Sequence, residues 1–528
     1  MQESTSYCLH YYFEKEFEVT EPIRCVPENA IITGWDFSTG AVKCLAFDLE
    51  GNTLAEARIP TDLWTANGVA ELNLMQLEGQ ARSITRAIAN RLKELGRLQD
   101  WIAGGISATH HTSGRIDRDL LQVRRAICWN DHSLAHFNEV GLKRLGGQQK
   151  AKEYTGGPWA IRYSLSHLVK DETQLSPEDW KRTTRILSHG SLAAGYLTGV
   201  FDRTSVSCAA STGIMDLRTK AWRKEMLLAL ENPLYQQLAW LQLPTIVDAD
   251  EPLGLLSLDV ALENGIAPAK RPLIFPTSDD QQAGLAGGGA ANPGQIAIIL
   301  GNSAVVNSSS DGVPSEGNLD VMRLNWGPYL WMRCYNNGAQ FLDKILGDKP
   351  DWVNLEKEAR MATPGCEGTM VLPFPNPEPS LGIHEPRFEW LPALPSSSGL
   401  KFRAALEALA CLVTLGVKAH EKAGQKVTRI TVSGGIARSE LMCEILASML
   451  DKPISTLESF EGPALGAATA AFASLELHMR KQAGIKEPFT IADAMAKMIR
   501  FKRVVQPNKN WVEAYQKLLT QFKLKIGV

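Results

Sequence analysis

The sequence predicts an α/β protein of two halves, and three observations carry the prediction. Residues 31–47 read as strand, Gly/Ser/Thr turn, strand, and the same pattern returns over 296–308. Strand-like and helix-like segments alternate between and after these two hairpins, as in folds that lay helices on a sheet. Between them the apolar run Leu273-Ile274-Phe275 leads into Pro276-Thr277-Ser278-Asp279-Asp280-Gln281-Gln282-Ala283-Gly284. A tight turn of glycine and hydroxyl residues offers backbone N–H groups to an anion, because nothing bulky blocks the approach. Two such turns suit a phosphate chain gripped from both sides, and an acid at a strand end beside them is placed for phosphoryl transfer.

Taken in order, the elements support this reading. Residues 1–29 form an aromatic, mixed-charge extension in which Tyr11-Tyr12-Phe13 and residues 17–19 favour an edge strand. The body begins at Ile31, and its first hairpin is followed by a second turn at Glu50-Gly51-Asn52. Residues 75–96 read as a helix, with Ile84, Ala87, Ile88 and Leu92 on one face, and a strand follows over 102–107. The alternation runs to the glycine-rich stretch 287–294, read as a flexible boundary. The second half opens on the repeated hairpin. It continues with a long helix near 401–423, a strand near 428–433 and two more helices. The expected division is 1–29 extension, 30–289 first domain, 290–478 second domain and 479–528 helical tail.

Composition bounds the function. For 528 residues, at roughly 100 to 200 per domain, two large domains or three smaller ones are expected. The formal charge is only −3, and the densest basic spots, Arg124-Arg125 and Lys502-Arg503, read as solvated surface, so no nucleic-acid partner is expected. Nine cysteines are scattered without Cys-x-x-Cys or Cys/His spacing, which leaves no metal or disulfide framework. No apolar run reaches the roughly 18 to 20 residues that span a bilayer, and the N-terminus lacks a basic start and an apolar core. A cytoplasmic protein without a membrane partner is expected.

The chain Ser433-Gly434-Gly435-Ile436-Ala437-Arg438-Ser439 follows a strand and opens a helix whose apolar face carries Leu441, Met442, Ile445, Leu446, Met449 and Leu450. Such a glycine pair either lets the backbone approach a nucleotide or only permits close packing. The small residues of Gly462-Pro463-Ala464-Leu465-Gly466-Ala467-Ala468 likewise suit close packing or a flat adenine.

In this order the motifs resemble the FGGY carbohydrate kinase family over residues 31 to 475. Gly34-Trp35-Asp36-Phe37-Ser38-Thr39-Gly40 resembles its first phosphate motif, Gly-x-Asp-x-Gly-Thr-Ser. Asp280-Gln281-Gln282-Ala283 matches the run that carries its catalytic base. Gly301-Asn302-Ser303 resembles the second phosphate turn, and Gly434 to Ser439 the adenosine motif Gly-Gly-Gly-Ala-Arg-Ser. Further matches are Tyr196 to Gly199, Trp129-Asn130-Asp131 and Pro373 to Glu378. The resemblance implies two actin/hexokinase-like (ribonuclease H-like) α/β domains flanking a cleft, with ATP and Mg²⁺ as cofactors and a small sugar as substrate. A homodimer is left open.

The resemblance assigns Asp280 as general base and Asp36 as the acid holding hydrated Mg²⁺. Ser38, Thr39, Gly40, Gly301 and Asn302 fall on the phosphates, and Gly434, Gly435, Ile436 and Ser439 on adenosine. Among its members, xylulose kinases show Gly-Gln-Met-His-Gly where this chain has Ser107-Ala108-Thr109-His110-His111-Thr112. His111, Trp129, Asp131, Asp280 and Gln281 are therefore the expected sugar contacts, and a ketopentose is favoured over glycerol. Asp131 would supply two acceptors and Trp129 an apolar face. Asp279, where many members have glycine, reads either as a solvated or capping acid or as a second acid that raises the pKa of Asp280.

The chain also departs from the family. Ser38 stands in place of a glycine, Gly40 of a hydroxyl residue and Asn302 of threonine, and the family's Lys-x-x-Trp stretch is missing near Tyr163 to Lys170. These departures motivate a rival reading as a weakly active or non-catalytic sensor of sugar or nucleotide. A kinase for another polyol or ketose is a further alternative.

Overall fold

The computed structural model describes residues 24–347, 350–459 and 461–528. The strand expected within the extension lies outside them. Ile31–Phe37 is buried along its whole length and Ala41–Phe47 almost so, as strands covered on both sheet faces must be. They pair antiparallel, and Thr53–Pro60 continues the meander. On the other side Trp101–Ala108 runs parallel to Ile31–Phe37, followed by Leu273–Ile274 and Gly254–Leu255. The short strand Ser278–Asp279 pairs with the end of Trp101–Ala108. That pairing brings the acidic run to the same sheet edge as Asp36.

The second sheet repeats this order. Gln295–Leu300 pairs antiparallel with Ala304–Ser310, which leads to Tyr329–Tyr335 and Asp320–Arg323. Arg429–Ser433 and Ile454–Leu457 lie parallel on the opposite side. Each half is thus an antiparallel meander flanked by two parallel strands, the order a ribonuclease H-like fold requires.

The helices follow their apolar spacing. The helix expected over 75–96 is Leu74–Glu94, started by the Asn73 side chain accepting from the Met75 amide, with Leu77, Ala81, Ile84, Ile88 and Leu92 buried at steps of three and four. The long helix near 401–423 is Ser398–Lys422, capped by Ser397.

Two expectations need correction. The glycine stretch from 287 is no flexible joint, because Gly287, Gly288 and Gly289 are buried. A Cβ on Gly287 would stand 1.9 Å from the Gly462 carbonyl oxygen, so the glycine is there to let two backbones touch. Nor is the end of the chain a helical tail. Phe501–Val505 is a strand that pairs antiparallel with Ile454–Leu457 and closes the second sheet, and Lys509–Ile526 buries Tyr515, Leu518, Leu519 and Phe522.

The helix Gly462–Gln482 packs on the first sheet although it follows the second in sequence. A Cβ on Gly34 would meet the Ala464 carbonyl oxygen at 1.9 Å, and one on Gly105 the Ala467 oxygen at 2.2 Å. Across its other side, a Cβ on Gly466 would meet the Ala283 oxygen at 1.8 Å. Among the described residues no helix is long and apolar enough to cross a membrane, and the cysteines are free thiols.

Candidate active site

The first hairpin positions Asp36 at its strand end, with Ser107 beside it on the parallel strand and Lys43 opposite on the antiparallel one. Asp36 Oδ1 accepts from the Ser107 hydroxyl at 3.0 Å. Burial raises its pKa to about 6, against the lowering pull of Lys43 and of the Ser107 hydrogen bond. Lys43 Nζ lies 2.5 Å from Glu461 Oε2, at the start of the helix that crosses from the second half. Lys43 was not singled out in the sequence, although it sits three residues past the turn on the Asp36 hairpin.

Within the turn, Ser38 uses its hydroxyl on itself: Oγ donates to the Ala41 carbonyl at 2.8 Å and accepts from the Ala41 amide at 3.2 Å. Thr39 is half-buried and Gly40 exposed at the tip, where a Cβ would meet nothing within 4 Å. The second turn is drawn closed by the Gly301 amide donating to the Ser303 carbonyl at 3.0 Å, with Asn302 exposed. Gly338, which sequence reasoning missed, presses on it. A Cβ there would stand 2.5 Å from the Gly301 oxygen, and the next amide, Ala339, donates to that oxygen at 2.8 Å. The residues before it are braced by buried Glu378, which accepts from the Asn336 amide at 2.7 Å and from Asn337 Nδ2 at 3.2 Å.

Asp279 and Asp280 part at the start of the helix Asp280–Gly287. Asp279 is its cap, accepting the Gln281 and Gln282 amides, and it also accepts the Ser207 hydroxyl at 2.6 Å. Asp280 is half-buried and touched by Gln281 Nε2 at 3.3 Å. Although part of its surface is open, its carboxyl is surrounded by protein. Desolvation, then the charges of Asp279 and Asp36, push its pKa up to about 8, against the Gln281 contact and the His110 backbone hydrogen bond. Both readings of Asp279 therefore hold together, cap and charge. Ligating atoms of His110, Asp279 and Asp280 fall within 4.8 Å of one another. Gln281 is tied to the second half by Asn307 Nδ2 donating to its Oε1 at 3.0 Å.

His111 stands in the left-handed region, φ +59°, stacked between His110 at 3.5 Å and Tyr163 at 4.6 Å. Its Nδ1 is 2.9 Å from the Ser211 carbonyl oxygen, an acceptor only, so the proton sits on Nδ1 and Nε2 is left as an acceptor. Burial, reinforced by His110, holds its pKa well below the ordinary histidine value, so the ring is neutral. Trp129 is half-buried beyond the end of the strand Gln122–Ile127.

Asp131 does not offer two open acceptors, as the sequence had suggested. Its Oδ2 accepts from Lys170 Nζ at 2.7 Å, its Oδ1 from the Ser133 amide and hydroxyl, and its side chain is 0% exposed. A buried ammonium needs a paired carboxylate, and Lys170, at the end of the stretch that lacks the family's Lys-x-x-Trp, claims this one.

In the adenosine motif, Gly434 has φ +93° and a Cβ there would lie 2.4 Å from the Leu300 oxygen, so the glycine pair and the second phosphate turn adjoin. Gly435 is exposed in open space, whereas Ile436 is buried. Ser439 caps the helix Glu440–Leu450 by accepting from the Met442 amide at 3.1 Å, which is a structural task.

The FGGY family of carbohydrate kinases matches this chain twice, its N-terminal domain over residues 31–287 and its C-terminal domain over 392–475. The chain belongs to the FGGY family of carbohydrate kinases. Xylulose kinase from Haemophilus influenzae is 24% identical over 375 residues, 70% of this chain and 74% of that protein. Xylulose kinase from Escherichia coli K12 is 25% identical over 457 residues, 83% of this chain and 89% of that one. Among solved structures, ligand-bound xylulose kinase from Lactobacillus acidophilus superposes with a TM-score of 0.80 at 19% identity, covering 94% of this chain and 99% of that one. This FGGY protein is accordingly an ATP-dependent sugar kinase with the two-domain actin/hexokinase-like fold.

Proposed function

We propose that this FGGY kinase transfers the γ-phosphoryl group of Mg-ATP to a hydroxyl of a ketopentose, with Asp280 as general base. The observation that carries the reading is the position of Asp280 at the start of its helix, where Asp279 takes the capping amides and leaves the neighbouring carboxyl for chemistry. Burial and the charges of Asp279 and Asp36 raise its pKa above the ordinary aspartate range, toward that of a working general base. The substrate hydroxyl gives its proton to Asp280 as its oxygen bonds to the γ-phosphorus, and the bond to the bridging oxygen breaks to leave ADP.

Asp36 suits the metal. One of its oxygens takes the Ser107 hydroxyl, while the other accepts nothing among the described residues, in a buried setting where a cation relieves desolvation. Mg²⁺, a hard ion that keeps several waters, would neutralise charge on the β- and γ-phosphates there. Lys43 is the nearest cation on the same hairpin, and it would exchange Glu461 for a phosphate oxygen. The open backbone at Thr39, Gly40, Gly301 and Asn302 suits the phosphate chain, and Gly435 with Ile436 the adenosine.

For the sugar, His111 Nε2 would accept from a hydroxyl, Gln281 would flank the reacting carbon and Trp129 would supply an apolar face. The likeness of His111 and Trp129-Asn130-Asp131 to xylulose kinase motifs, and the names of the two curated relatives, favour a ketopentose. The test is ADP release over a panel of ketopentoses, ketohexoses and polyols, with mass spectrometry of the products. A pentulose phosphate formed with the highest kcat/KM is expected. Nucleotide binding without any sugar phosphate would overturn the kinase reading in favour of a sensor.

A further inference from the structure

The second sheet carries a cleft that none of the assignments above uses. It opens at the carboxyl ends of the parallel strands Arg429–Ser433 and Ile454–Leu457, beside the edge strand Phe501–Val505, and has a volume of about 150 Å³. Ligands of open α/β sheets bind outside the carboxyl ends of the strands. Ala437 and Arg438 of the adenosine motif line it, whereas Gly434, Gly435, Ile436 and Ser439 do not, and Gly434 packs the other way, onto Leu300.

Its lining is cationic and hydroxylic. Lys502 and Arg503 come from the edge strand, Arg438 from the turn after Ser433, and Glu440 is the one acid among them. Glu440 pairs with Arg503 at 3.1 Å, which leaves the charge of Lys502 over. Ser433 is 6% exposed, lines the cleft, and its hydroxyl has no hydrogen-bond partner among the described residues. Thr456 supplies a second hydroxyl, which reaches only the Arg503 carbonyl, at 3.4 Å. The amides at the start of the adjoining helix are already taken, Leu441 by Glu356 and Met442 by Ser439, so an anion here is met by side chains.

We infer that this cleft is a second ligand site, separate from the nucleotide, for a compact phosphate dianion held by Lys502, Arg503 and the Ser433 hydroxyl. Three oxygens in a tetrahedral head match two cations and a buried hydroxyl donor, whereas a single carboxylate would leave one of them without an acceptor. The dianion is either free phosphate or the head of a phosphorylated sugar.

The experiment is isothermal titration of the full chain, saturated with AMP-PNP, using inorganic phosphate in one arm and ribose 5-phosphate in the other. One site per chain is expected in at least one arm. Binding should weaken at least tenfold in the double variant Lys502→Glu/Arg503→Gln and about tenfold in Ser433→Ala, the loss of one hydrogen bond to a charged group. AMP-PNP affinity and melting temperature should stay as in the wild type, which separates a lost site from a lost fold. Equal affinity in the two arms identifies phosphate itself as the ligand, and tighter ribose 5-phosphate binding identifies a sugar ester. The inference is overturned if neither probe binds at millimolar concentration, if AMP-PNP displaces both, or if the double variant binds as tightly as the wild type.

Discussion

Asp279 places a fixed negative charge beside Asp280. Its Oδ1 is held by the Gln281 and Gln282 amides at 3.0 and 2.9 Å and its Oδ2 by the Ser207 hydroxyl, so the charge cannot turn away. Burial contributes most to the raised pKa of Asp280, and Asp279 contributes next. In Asp279→Asn the rising limb of kcat/KM against pH, expected near 8 in the wild type, should move to lower pH without reaching the ordinary aspartate range, because burial remains. Should the limb stay in place, Asp279 is a cap alone.

Removing Asp280 separates chemistry from stability. Asp280→Asn should lower kcat by roughly 10² to 10⁴ while AMP-PNP binds as before. With the folded pKa above the unfolded one, the folded protein holds the extra proton between about 4 and 8, so this carboxyl makes folding less favourable as pH rises through that window. Melting temperatures at pH 5 and pH 9 should therefore differ less in Asp280→Asn than in the wild type. A variant that loses stability at pH 9 would count against the raised pKa.

Lys170 and Asp131 form a buried pair at 2.7 Å, both almost wholly covered. Lys170→Met should destabilise by roughly 3–5 kcal/mol, because the carboxylate is left unpaired in the interior, whereas Lys170→Met with Asp131→Leu should recover most of the loss. Denaturant titration of the single and double variants measures this. A double variant as unstable as Lys170→Met alone would show that the carboxylate's charge is not the source of the loss.

The glycine seam makes a contrast at fixed chemistry. Gly466→Ala sets a methyl 1.8 Å from a backbone oxygen, whereas Gly40→Ala meets nothing within 4 Å. The first should lower stability by about 1–3 kcal/mol or more, the usual penalty of overpacking, and the second should leave the melting temperature where it was. Equal melting temperatures would mean that the two helices part without cost.

The repeated hairpin was legible because its cause is local: apolar strands joined by residues that tolerate a tight turn. Asp36 and Asp280 could be placed in sequence order for the same reason, each at a strand end beside such a turn. The partner of Asp131 was not legible, because Lys170 reaches it from 39 residues away across a fold that has to exist first. Composition also misled at Gly287, since glycine marks a loose joint and a backbone-to-backbone contact alike.

Val26, Ile32, Leu45, Phe47 and Ala103 of the first half share one hydrophobic cluster with Leu465, Phe472, Phe489 and Met498. A chain emerging from the ribosome therefore makes the first sheet long before it makes the helices that cover one of its faces. Domains ordinarily fold in the order of synthesis, but here that apolar face waits for segments that follow the whole second sheet except its edge strand. Until they arrive it is exposed to whatever binds nascent chains, and a message cut short before Leu465 yields a first sheet with one face uncovered.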